Sequence, residues 1–247
     1  MNTRALSAAI AAAVLSAGAA SACDMIRLVD ISLQNGGYQL YVNGVFVDEG
    51  SGGSIYSGKP LRNWLVEGEN TVTLDYEAES GTASLREGCE ATFDKAITTA
   101  EIALSGASTA EMTFKVKEPV AAEYVKADVA DEAGLMDAVA ALRTAIANKD
   151  FDAFWALHAP MLREYERQGA PMELLEERYG ELLKVMDPVY AEGLSAEPVL
   201  GGLVHIVRGA DGAPTVSYEG KVDGSSIRWT TGTYWARFDG EWGVMER

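Results

Sequence analysis

The sequence predicts an all-β sandwich followed by an α+β domain in which three helices pack against a curved antiparallel sheet. Three observations predict it. From residue 24 to about 117 apolar residues alternate with polar ones, the period of half-buried strands. From Asp131 the period becomes helical, and after Pro188 it returns to two. Between the halves, residues 118–130 keep neither period and include Pro119, as a linker does. The expected organisation is therefore 1–22 signal peptide, 23–117 sandwich, 118–130 linker and 131–247 α+β domain.

The first 22 residues read as a secretory signal. Arg4 gives the positive start, an apolar stretch runs to Leu15, and Ala20-Ser21-Ala22 has the small-x-small form of a cleavage site. The expected location is periplasmic or otherwise exported. Cys23 follows directly, and Cys89 is the second of two cysteines. In an oxidising compartment the pair Cys23–Cys89 invites a disulfide. The alternative is a membrane-anchored lipoprotein with Cys23 lipidated, although Ala20 stands where a lipobox usually has Leu. Lipidation is the one membrane contact expected, since no later segment approaches the ~20 apolar residues of a span.

Composition excludes some partners. The chain has 37 acidic and 20 basic residues, a net charge of −17. Loss of the signal removes one base and no acid. Such a chain suits neither nucleic acid nor anionic lipid. Two Cys and two His, far apart, give no zinc-ligand spacing, and neither a metal nor a cofactor is expected.

Within the first half, Ile26–Leu33 reads as a strand, Asn35-Gly36-Gly37 as a turn, and Tyr38–Val42 and Val45–Val47 as a hairpin about Asn43-Gly44. Thr71–Glu77, Ala83–Arg86, Cys89–Phe93, Ala100–Leu104 and Met112–Lys117 bring the count to seven or eight short strands. The glycine run at 50–53 falls between strands. Tyr41–Val47, with Pro60-Leu61 and Leu65-Val66-Glu67-Gly68-Glu69-Asn70-Thr71-Val72, resembles the jelly-roll sandwiches found beside glycoside hydrolase domains. That resemblance implies carbohydrate contact, for which Tyr41, Tyr56 and Trp64 are the candidate stacking residues.

In the second half, Leu135, Val139, Leu142 and Ile146 form one helical stripe, with Asp131 as candidate N-cap. Phe151, Trp155 and His158 share a face of a second, short helix, which Asp150 and Asp152 begin. Pro160 suits the first turn of a new helix. Met172, Leu175, Tyr179, Leu182 and Met186 form a further stripe. Strands follow at Leu203–Arg208, Thr215–Lys221, Ser226–Thr230, Thr233–Phe238 and Glu241–Met245, with Asp223-Gly224 among the turns. Tyr234, Ala236 and Phe238 fall on one face, Trp235 and Arg237 on the other.

The segments Ala145–Leu157 and Thr233–Val244 resemble the helix junction and last hairpin of the nuclear transport factor two-like superfamily, the cone fold shared with ketosteroid isomerase. The resemblance implies a conical pocket for a small molecule. His158, His205 and Tyr234 are the catalytic candidates within it, and Trp155, Arg228 and Trp235 the ligand-binding ones. Arg237 is a second candidate anion anchor. His205 is expected to face the cavity or solvent. No hydrolase, metalloprotease or phosphate-loop motif is present. The expected function is a non-catalytic periplasmic or envelope binding protein for a small ligand, glycan or protein. The alternative is an isomerase, hydratase or hydrolase acting in the cone.

Overall fold

The computed structural model describes residues 25–61, 63–117, 119–222 and 225–245. The signal segment, Cys23, Glu118 and the Asp223-Gly224 turn lie outside the described residues. What is described is mostly antiparallel sheet with four helices. Among the described residues, no helix is long and apolar enough to cross a membrane.

The first half has fewer and longer strands than the turn residues suggest. β1 (Met25–Val42), β2 (Val45–Pro60), β3 (Gly68–Cys89) and β4 (Ile97–Val116) form one sheet in the order β2-β1-β3-β4. Asn35-Gly36-Gly37 lies inside β1, the 50–53 glycine run lies inside β2, and Ala83–Arg86 belongs to β3. Cys89 ends β3, and 90–95 form a 3-10 turn rather than a strand.

These interruptions bend strands instead of ending them. β1 buries Val29, Ile31 and Leu33, then Tyr38, Leu40 and Val42. The alternation changes step at Asn35, whose φ is 51°. A residue in the left-handed region turns the following side chains to the other face. β3 changes step beside it, bulging between Ala78 and Gly81 where it pairs with β4. Gly36 is required at this seam, because a Cβ there would sit 1.8 Å from the Glu77 carbonyl oxygen. The Arg27 guanidinium lies 5.6 Å from the Phe114 ring centre. Their partners on β3, Glu87 and Asn70, are 17 residues apart. A straight strand would separate them by roughly 55 Å, so the long strands double back.

Between β2 and β3 the chain dives inward. Leu61, Trp64 and Leu65 are all buried. Asn70, 1 % exposed, closes this loop. Its amide donates to the Val66 and Gly68 carbonyls and accepts from the Val66 N–H, at 2.8–3.0 Å. Asn43 donates to Asn70 Oδ1 and to the Trp64 carbonyl, and accepts from the Thr71 N–H. Gly68 turns the chain at φ 97°.

Residues 119–130, expected as a plain linker, are docked along their length. Glu123 is buried between Lys126 and Arg163, and its N–H donates to Glu164. The two cations and their hydrogen bonds hold its carboxyl below the ordinary range, outweighing the desolvation that would raise it. The Tyr124 hydroxyl donates to the Leu65 carbonyl at 2.7 Å. The Asp128 N–H donates to the Arg237 carbonyl at 2.7 Å.

Among its described residues the second half has four helices, not three: α1 (Leu135–Asn148), α2 (Phe151–Leu157), α3 (Ala159–Arg167) and α4 (Met172–Val185). The break at His158, with Pro160 in the first turn of α3, falls where the sequence placed the start of a new helix. The α1 stripe is buried as the periodicity predicts, but the cap is Gly134 rather than Asp131. Asp150 does cap α2, accepting from the Ala153 N–H at 3.1 Å. Of the α4 stripe only Met186 is buried, and Leu183 joins it, so α4 lies at the periphery.

Seven strands follow: β5 (Val189–Tyr190), β6 (Ser195–Val199), β7 (Val204–Arg208), β8 (Val216–Val222), β9 (Ser225–Thr231), β10 (Tyr234–Phe238) and β11 (Glu241–Met245). They form two sheets, ordered β11-β10-β7-β6 and β5-β8-β9. The first has a core on each face. Val207, Trp235 and Val244 pack with α1, α2 and α4. Val204, Ile206, Tyr234 and Ala236 join one cluster with Val29, Leu40, Leu74 and Phe114 of the first half. The alternation in β10 is the one read from sequence.

Replacing Asn70 with Ala would strand the Val66 N–H and two carbonyls inside the protein. A loss of about 3 kcal/mol is expected, read by urea unfolding, with the exposed neighbour Glu67→Ala within about 0.5 kcal/mol of the parent.

Candidate functional site

The three catalytic candidates do not converge. His158 is 1 % exposed. Its Nδ1 lies 2.8 Å from the Phe154 carbonyl oxygen, an acceptor only, so Nδ1 carries the proton. Nε2, 2.7 Å from Thr231 Oγ1, then accepts the hydroxyl's hydrogen bond. Both nitrogens are used, and burial lowers the imidazole pKa to about 4. This is a packed neutral histidine, not a base open to a substrate.

His205 is also buried, 1 % exposed, which corrects the expectation of a solvent-facing side chain. It meets the Trp242 ring edge-on at 5.0 Å. Its pKa is lowered, chiefly by burial, against the raising influence of Glu132 and Asp131. Tyr234 is the register partner of Ile206, and Trp235 that of His205. Tyr234 therefore sits on the opposite face from His205, in the core shared with the first half.

The ligand-binding candidates also separate. Trp235 is fully buried, its indole N–H donating to the Gly232 carbonyl at 2.7 Å. Trp155 stacks on Phe151 at 5.3 Å and meets Tyr179 edge-on. It belongs to an aromatic layer between α2 and α4. The three aromatics of the first half form no platform. Trp64 is 3 % exposed and Tyr56 is 78 % exposed. Tyr56 stands opposite Ser32, nine residues along β1 from Tyr41. Arg237 lies over Trp242 and reaches Asp131 at 3.9 Å.

Three of the candidates do come together elsewhere. A cleft of about 730 Å³ opens at the junction of the two halves, with Tyr41, Arg228 and Tyr234 in its walls. The first half adds Gln39, Phe46 and Glu49. The second adds Arg208, the segment 230–233 and Tyr165 of α3. The β1–β2 hairpin supplies one wall because Asn43-Gly44 is held against Val199 and Leu200. The Leu200 N–H reaches the Asn43 carbonyl at 3.4 Å. Thr231, the hydroxyl bound to His158, also lines the cleft. Tyr41 donates to Gln39 at 2.9 Å. Burial, then Asp75, raises its phenol above the ordinary value, and Arg208 pulls the other way. Arg228 pairs with Glu219 at 3.2 Å, both well exposed.

Sequence reasoning missed Arg208 and the hydroxyl run at 230–233. The available signal was a polar stretch, Thr230-Thr231-Gly232-Thr233, between two strands, with a cation ending a third. Compared with protein-family models, curated proteins and solved structures, the chain matches none.

The depressed His158 pKa has a signed consequence. Between pH 6.5 and about 4 the unfolded chain binds a proton that the folded chain refuses at this position. Stability from this residue is therefore fully present above pH 6.5 and is lost as pH falls toward 4. Urea unfolding should show the advantage of wild type over His158→Gln shrinking by about 3 kcal/mol between neutral pH and pH 4. A difference independent of pH contradicts the assignment.

Proposed function

We propose that the protein is an exported, non-catalytic binding protein that takes a small ligand or glycan in the cleft between its halves. The observation that carries this reading is the cleft itself. Residues from both halves line it, and it mixes aromatic, hydroxyl and cationic side chains, the composition of a site that orients a polar ligand. The catalytic alternative is disfavoured by the two histidines, since a general base needs hydrogen-bond access to its substrate and both are 1 % exposed.

The same reading takes the folded-over β1–β4 sheet as a sandwich and residues 131–247 as a cone-type domain. The Arg27–Phe114 contact supports the first. Four helices against an antiparallel sheet support the second. Packing of Leu135, Leu142, Phe154 and Trp235 inside the helix–sheet layer moves the expected ligand site from the cone interior to the junction. Export is an inference from the signal segment. The Cys23–Cys89 disulfide is preferred over lipidation on the oxidising compartment and the missing lipobox Leu, and the pairing of Met25 with Cys89 supports it.

Incubating the purified exported chain with an array of bacterial and plant oligosaccharides tests the proposal. Wild type should retain a defined set of glycans. Tyr41→Ala and Arg228→Glu should each weaken retention tenfold or more at unchanged melting temperature. Full retention by both variants, or none by wild type, contradicts it.

A further inference from the structure

The cleft's charge runs against that of the chain. The whole sequence carries −17, yet the cleft walls hold two arginines and one carboxylate, Glu49. Among the described residues, Arg208 makes no ion pair. Among the described residues Arg228 has one ion pair, with Glu219, both well exposed, an interaction of little net strength that a ligand can replace. Two guanidinium groups of the second half thus line the cleft. Arginine's planar fork matches a carboxylate with two parallel hydrogen bonds.

The remaining chemistry narrows the ligand. Thr230 and Thr233 bring neutral hydroxyls able to donate and accept, and Thr231, whose proton goes to His158, one able to accept. Gln39 and Glu49 add acceptors on the facing wall. Tyr41 and Tyr165 offer flat apolar bodies with polar tips. Glu49 would repel a doubly charged phosphate more strongly than a single carboxylate. The volume, about 730 Å³, is within the range of small-ligand sites, roughly 300–1,000 Å³.

We propose that this cleft binds a saccharide bearing a carboxylate. Arg208 and Arg228 hold the carboxylate, the threonine run meets the ring hydroxyls, and Tyr41 and Tyr165 flank the ring. The proposal rests on the junction cleft being the ligand site.

Two disaccharides differing by one carboxylate test it. They are N-acetylglucosaminyl-N-acetylmuramic acid and N,N′-diacetylchitobiose, which lacks the lactyl acid. Each is titrated calorimetrically into the purified exported chain at low salt. The acidic disaccharide should bind at least tenfold tighter. Arg208→Gln and Arg228→Gln should each lower the affinity for the acidic disaccharide at least tenfold, and by a larger factor than for chitobiose, at unchanged melting temperature. Equal affinity for the two, tighter binding of chitobiose, or binding of neither overturns the carboxylate assignment. None of these disturbs the junction reading if the array still returns glycans sensitive to Tyr41→Ala. Absence of any retained glycan on the array falls on the junction reading itself.

Discussion

The burial of Trp64 between Tyr124 and Tyr234 is the contact on which the architecture depends. Its ring centre lies 5.1 Å from that of Tyr124 and 5.2 Å from that of Tyr234. The three residues come from the β2–β3 loop, the 119–130 strap and β10. One buried ring therefore joins the first half, the connection and the second half. Trp64 has φ 63°, a conformation that costs a bulky residue on the order of 1–3 kcal/mol. The Asn43–Asn70 hydrogen bonds hold the loop in that shape, and burial of the indole offsets the strain. Truncating a buried Trp typically costs about 3–5 kcal/mol. That is a large share of the ~5–15 kcal/mol by which a protein is stable.

Because this junction is packed and hydrogen-bonded, the cleft beside it has fixed walls. The β1–β2 hairpin cannot swing away from Val199 without exposing apolar surface. A Cβ on Gly44 would already lie 3.1 Å from a Val199 methyl. On the other wall, Thr231 is tied to His158, and His158 to the α2 backbone. The histidine that sequence reasoning took for a catalytic candidate thus serves to hold a cleft-lining hydroxyl. Pre-set walls reduce the entropy a protein must lose on binding.

Alternation and helical stripes were legible because burial imposes them directly. Val72 and Leu74 inward, Leu135 to Ile146 on one helix face, and Tyr234 and Trp235 on opposite faces all follow from period alone. The Asp150 cap was legible from a local hydrogen bond. Strand continuity was not, because glycine and asparagine allow either a reversal or a bend. At Asn35-Gly36-Gly37 the neighbouring strands decide, and pairing with both β2 and β3 continues past the interruption. The fate of Trp64 was equally hidden. Its partners lie 60 and 170 residues away in sequence, and no local pattern records them. The cleft was half legible. Tyr41, Arg228 and Tyr234 could be named from residue type, but their meeting depends on how the halves dock.

The two halves share one core through this junction. Differential scanning calorimetry of the chain from Cys23 onward tests it, together with the intrinsic fluorescence transition. Cooperative unfolding through one core predicts a single transition. The calorimetric enthalpy should equal the van't Hoff enthalpy, and the fluorescence midpoint should coincide. Two resolved transitions, one for residues 23–117 and one for residues 131–247, would contradict it.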